Sequence, residues 1–185
     1  MKRKLNAVVI HCAATPNGKH FTAADIDRMH KQRGFMRGAQ AARNFNPALR
    51  HIGYHYVIEL DGSVQPGRHV EEIGAHVQGS NAKSIGICMI GTDRFTREQW
   101  TSLRNAIIAT AGMIKNTAIM SVDHALDAYA DMGIRVLGHR DFSPDKNGNG
   151  IIERHEWLKI CPGFSVADWI KGGMLPLDGH ITERV

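Results

Sequence analysis

Short continuous apolar runs alternate along this chain with longer stretches in which apolar residues recur every three or four positions. Ala7-Val8-Val9-Ile10 is too short for a helix and rich in β-branched side chains, so residues 7–11 read as a buried strand. Thr22-Ala23-Ala24-Asp25 has the form of a capping box, opening a helix that runs through Arg33 and stops at Gly34. Residues 37–52 read as a long polar loop, and residues 54–60 and 64–66 as a hairpin across Asp61-Gly62. The apolar run 84–90, ending at Gly91, predicts a buried central strand. Thr96-Arg97-Glu98-Gln99 caps a long helix whose Trp100, Leu103, Ile107, Ala111 and Ile114 share one face. Residues 121–132 predict another helix, with Leu126, Tyr129 and Ala130 inward, and residues 134–138 return to the sheet. A short helix over 166–171 precedes Gly172-Gly173 and a tail expected to be loosely held after about residue 172. Strand and helix in this order predict an α/β fold: a single domain over 1–185 with a central mixed β-sheet flanked by α-helices.

Composition narrows the picture without changing it. A chain of 185 residues with 43% hydrophobic and 22% charged residues fits one soluble domain with a substantial core, and it holds no repeat or low-complexity tract. It holds no transmembrane span. The start Met1-Lys2-Arg3-Lys4 is basic, but the apolar stretch before His11 is only about five residues, short of the 7 to 15 of a signal peptide's apolar region. Cytoplasmic synthesis is therefore expected. The three cysteines, Cys12, Cys88 and Cys161, form an odd set without the spacing of a disulfide framework. The net charge of +5 would draw the protein towards anionic polymers, and Arg28, Lys31, Arg33 and Arg37 form its densest basic cluster. With aromatics at 6% and no recognised nucleic-acid module, no specific nucleic-acid partner is expected, and oligomeric state is not legible.

Candidate chemistry lies where apolar runs end. His11 closes the first run, His139 follows Ile134-Arg135-Val136-Leu137-Gly138, and Cys161 sits in Lys159-Ile160-Cys161-Pro162, whose proline argues for a turn. Taken singly, each is as well explained as a core or surface residue. Taken together, two imidazoles and one thiolate are a ligand set for Zn²⁺ that leaves a fourth position for water, the arrangement of a hydrolytic zinc.

Val9-Ile10-His11-Cys12, Ile52-Gly53-Tyr54-His55-Tyr56, Leu137-Gly138-His139-Arg140-Asp141 and Lys159-Ile160-Cys161-Pro162-Gly163-Phe164 together resemble, in order, the landmarks of the zinc N-acetylmuramoyl-L-alanine amidases. That family includes small phage endolysins and animal peptidoglycan recognition proteins, and the resemblance runs from about residue 7 to residue 170. It implies that His11, His139 and Cys161 are zinc ligands, that Tyr54 and Lys159 are catalytic, and that His76 and Asn81 line the substrate groove. The reaction implied is hydrolysis of the amide joining N-acetylmuramic acid to L-alanine, with peptidoglycan or a muropeptide as substrate. Tyr54 alone would read as a core aromatic. Zinc would activate its water and polarise the amide carbonyl, and a Tyr hydroxyl and a Lys ammonium could each lower the barrier by about 3 kcal/mol through the developing oxyanion. No carboxylate occupies a matched position for proton transfer; Glu59 and Asp141 are the available groups, Asp141 also being placed to orient a ligand histidine or pair with Arg140. An endolysin would reach the wall after release from the cell. The alternatives are a noncatalytic peptidoglycan-binding module and a cytosolic enzyme that recycles muropeptides.

Residues 145–156 satisfy a twelve-residue calcium-loop pattern. Asp145, Asn147 and Asn149 would give side-chain oxygens, Ile151 a backbone carbonyl, Gly150 the turn and Glu156 a bidentate carboxylate. The expectation is a structural Ca²⁺ that fixes the path to Lys159 and Cys161. The alternative is an Asn-Gly-rich turn without metal. A calcium-responsive interaction protein is a third functional reading, weakened by the lack of a second such loop.

Overall fold

The structure, a computed structural model, describes residues 3–184. Its elements are β1 (Ala7–Cys12), α1 (Ala23–Gln32), α2 (Ala39–Asn44), β2 (Tyr56–Ile58), β3 (Val64–Pro66), β4 (Ser84–Met89), α3 (Arg97–Lys115), α4 (Val122–Asp131), β5 (Arg135–Gly138) and α5 (Val166–Lys171). The five strands form one mixed sheet in the order β3-β2-β4-β1-β5, in which only the β2–β3 pair is antiparallel. β1 is central and buried along its whole length. Alternation then divides its side chains. Val8, Ile10 and Cys12 join the large core beneath α3, α4 and α5, whereas Ala7 and Val9 face the other way, against Val77. His11 shares the parity of Ala7 and Val9, and so stands on the face opposite the large core, where Ala23 and Ile26 of α1 pack with Leu49, Ile52 and Val57.

The large core holds Trp100, Trp169, Phe95 and Phe164, with Trp100 and Phe164 ring centroids 4.7 Å apart. Such pairs contribute about 0.5–1.5 kcal/mol each beyond burial. Phe164 lies three residues past Cys161, so this packing anchors the segment that carries the thiol. Both predicted capping boxes form: Asp25 Oδ2 accepts the Thr22 N–H at 2.8 Å, and Gln99 Oε1 accepts the Thr96 N–H at 3.0 Å. No described helix is long and apolar enough to cross a membrane.

Four expectations need correction. The 37–52 stretch contains α2, which buries Ala42 through too few apolar positions to show a helical period. That stretch is also clamped from within. The Arg37 guanidinium is fully buried, paired with Glu72 at 2.8 Å, and donates to the carbonyls of Phe45, Asn46 and Leu49. With Arg37 inside and Arg28 paired to Asp25, the basic cluster is not a continuous surface patch. In α4 the inward residues are Val122, Ala125, Ala128 and Tyr129; Leu126 is half-buried and Ala130 exposed, a phase shift of about one residue. The tail is held rather than loose. Met174 is buried, Phe95 and Ile181 form a β-bridge, and the His180 carbonyl accepts from the Phe95 N–H at 2.9 Å and from Trp100 Nε1 at 3.2 Å.

Candidate active site

Strand register brings the candidate ligands together. Ile10 pairs with Gly138 of β5, so the next residue of each strand, His11 and His139, emerges side by side at the carboxyl end of the sheet, with ring centroids 4.7 Å apart. Open α/β sheets place their ligands at that edge. Cys161 arrives from the other side. The Arg140 N–H donates to its carbonyl at 2.8 Å, and Gly163, at φ +91°, passes so close to Thr92 that a Cβ would lie 2.6 Å from that residue's carbonyl oxygen. The ligand atoms of His11, His139 and Cys161 all lie within 4.8 Å of one another.

The donor set fits a metal ion. His11 is buried and its pKa is held well below the usual imidazole range by desolvation, then by the neighbouring His76 and His139. Burial, then the Lys159 charge, lowers that of His139. Both rings therefore present neutral lone pairs near pH 7, the form that binds metal. Without a cation, the hydrogen bond shared with the Cys12 thiol, then burial, push the Cys161 thiol up, while the Cys12 N–H points at its Sγ from 3.2 Å. A divalent cation reverses that preference by taking the thiolate. Cys161 Sγ lies 3.7 Å from His11 Nδ1. A tetrahedral Zn²⁺ bound by one sulfur and one imidazole nitrogen needs these donors about 3.5 Å apart.

Around the triad, the Tyr54 ring lies 5.1 Å from His11, and burial, followed by the thiols of Cys88, Cys161 and Cys12, raises its pKa well above normal. The hydroxyl thus stays protonated and keeps a hydrogen to donate. Lys159 is exposed beside the site and its charge is felt at His139. His76 and Asn81, the residues expected to line the groove, are also tied into the scaffold. His76 Nδ1 lies 3.0 Å from His11 Nε2, and Asn81 Oδ1 accepts the N–H groups of His76 and Val77 at 2.7 and 2.8 Å. Glu59 and Asp141 are committed elsewhere, accepting the backbone N–H of Ala23 and of Gly138, each at 2.8 Å, and Asp141 also pairs with Arg140.

Two buried histidines of this region escaped sequence reasoning. His55 accepts the Gly86 N–H at Nδ1, 3.0 Å, and contacts the Glu72 carbonyl at Nε2, 2.9 Å; His30 Nδ1 accepts the Gly53 N–H at 2.9 Å. Their signal was faint: His55 lies among Tyr54, Tyr56 and Val57, and His30 among the polar Arg28, Lys31 and Gln32 of a helix.

The 145–156 loop offers no support for calcium. Asp145 accepts the N–H groups of Gly148 and Gly150, Asn147 and Asn149 cap Asn149 and Ile151 in turn, and the buried Glu156 accepts from Lys146, Asn147 and Glu153. The predicted ligand oxygens thus already hold the loop's own backbone. The acid and histidine groups of this loop that come together are Glu153, His155 and Glu156. Ser143 Oγ accepts the Leu158 N–H at 3.0 Å and Arg140 lies 4.2 Å above the Trp157 ring, and these contacts close the ends of the loop.

The chain is similar in sequence and in fold to known proteins. The chain is 40% identical over 133 residues to an uncharacterised protein of Haemophilus influenzae, across 68% of this chain and all of that one. It is 29% identical over 176 residues to the endolysin of Escherichia phage T7, covering 91% of this chain and 87% of the endolysin. Among solved structures, an endolysin N-acetylmuramoyl-L-alanine amidase from Clostridium intestinale aligns over 92% of this chain and 83% of its own, with a TM-score of 0.55 and 25% identity. The N-acetylmuramoyl-L-alanine amidase family pattern matches residues 1–163, spanning all three candidate ligands, and the chain belongs to that family.

Proposed function

We propose that this protein is a zinc-dependent amidase that cleaves the bond between N-acetylmuramic acid and L-alanine in peptidoglycan or its fragments. The observation that carries the reading is the convergence of His11, His139 and Cys161 at the carboxyl edge of the sheet. Zinc held by these three residues would supply an activated water and a Lewis acid for the amide carbonyl. Tyr54, kept protonated by its surroundings, donates a hydrogen bond towards the carbonyl oxygen as negative charge develops there. Lys159 supplies positive charge to the same oxygen from the exposed rim, between the exposed side chains of Leu158 and Ile160. Cys12 steadies the sulfur through its backbone N–H.

A noncatalytic wall-binding module is the weaker reading, because Cys161 is in place beside His11 and His139. The test is release of soluble stem peptides from purified cell wall. Release that stops with a chelator and returns with added zinc supports the amidase; binding to wall without release, at any zinc concentration, contradicts it.

A further inference from the structure

We infer that His76 is a positioning residue that dictates which ring nitrogen of His11 is offered to the metal, an inference that rests on the metal-centre reading above. Ser84, buried at the start of β4, donates its hydroxyl hydrogen to the Ser80 carbonyl 2.8 Å away. Its oxygen is left as an acceptor, 3.5 Å from His76 Nε2. The ring hydrogen of His76 therefore belongs on Nε2 and its lone pair on Nδ1. His76 Nδ1 lies 3.0 Å from His11 Nε2, so a lone pair on the first calls for a hydrogen on the second. His11 is thereby held as the Nε2–H tautomer, with its free lone pair on Nδ1, the atom that faces Cys161 Sγ.

His76 has little room to do otherwise. A Cβ on Gly86 would lie 2.7 Å from its ring and one on Gly74 2.5 Å, so the backbones of β4 and of the preceding segment close on it from two sides. Asn81 fixes its backbone N–H. A rigid partner of this kind keeps a ligand imidazole in the right tautomer and orientation before the metal arrives. Absent that partner, the neutral His11 ring divides between two tautomers, one of which points a hydrogen at the thiol.

The experiment uses the full chain with His76→Ala and His76→Asn, the latter placing an oxygen acceptor where Nδ1 stood. Two quantities are read: the zinc dissociation constant by competition with a chelating dye, and the ring tautomers of the metal-free protein by long-range ¹H–¹⁵N correlation. The wild type should show His11 as Nε2–H. His76→Ala should lose that signature and bind zinc roughly 10–100-fold more weakly, and His76→Asn should recover most of both. A hydrogen on Nδ1 of His11 in the wild type, or wild-type zinc affinity and tautomer in His76→Ala, would overturn the assignment. If His76→Ala does not fold, Ser84→Ala takes its place: mixed tautomers at His76 and His11 support the relay, and unchanged ones refute it. A wild type that binds no zinc would end the metal-centre reading, while the tautomers of the metal-free protein still decide the role of His76.

Discussion

At the scale of single residues, Tyr54 and the metal ligands behave differently under substitution. Tyr54→Phe keeps the ring that packs near His11 and removes the hydroxyl alone. The expected result is a 10²–10³-fold lower kcat, about 3–4 kcal/mol, with zinc content unchanged, since the lost donor acts on charge that forms during reaction. Equal activity in the two proteins would remove Tyr54 from the chemistry. His11, His139 and Cys161 were legible in the sequence because each terminates a recognisable local pattern, two strands and a proline turn. The roles of His76, His55 and His30 were not, because a buried histidine is explained by the backbone groups around it. His55 meets a glycine N–H thirty-one residues away in the chain. Such a partner is set by sheet register, which no local spacing reveals.

At the scale of elements, the 145–156 loop shows how a motif can be complete and still be read differently once folded. Every position of the calcium pattern is filled, yet the side chains it supplies turn inward to satisfy the loop's own N–H groups. Backbone hydrogen bonds from Glu153, then Lys146 and Asn147, hold the Glu156 carboxyl below the usual carboxylate range. Its stabilising contribution is therefore full above the ordinary glutamate pKa and lost as pH falls through the lowered one. Glu156→Ala should lower the melting temperature at pH 7 to the same degree with calcium and with a calcium chelator; a drop seen only in calcium would restore the metal reading. The helices were legible where caps and period agreed, as in the capped start of α3 and in α1, whose expected last residue Arg33 lies one past the observed Gln32. α2 was missed because six residues with one buried alanine carry no periodic signal. The held tail was missed because Phe95 and Trp100, which pin it, lie far earlier in the chain.

At the scale of the whole molecule, the face of the sheet opposite the large core is rich in buried, uncharged imidazoles, and acid acts on it. Burial lowers His30 to about 4 and His55 to about 3, from an ordinary value of 6.5. The unfolded chain takes up these protons first, so stability is full above about pH 6.5, erodes below it, and the contribution is gone once pH has passed through the folded values. Denaturation followed with a chelator present should show stability falling by a few kcal/mol, with the decline already visible between pH 6.5 and 5, where most carboxylates are still ionised. Flat stability over that interval would mean that these imidazoles are not held neutral. The same face is where β1 and β5 deliver His11 and His139, and where the Phe164 anchor returns Cys161 to them. The measurement that bears most directly on this arrangement is the zinc content of the purified wild type beside that of Cys161→Ser. One zinc per chain in the wild type and little or none in the variant, with matching circular dichroism, is the expected result; an active wild type without zinc, or a fully active Cys161→Ser, would contradict the account.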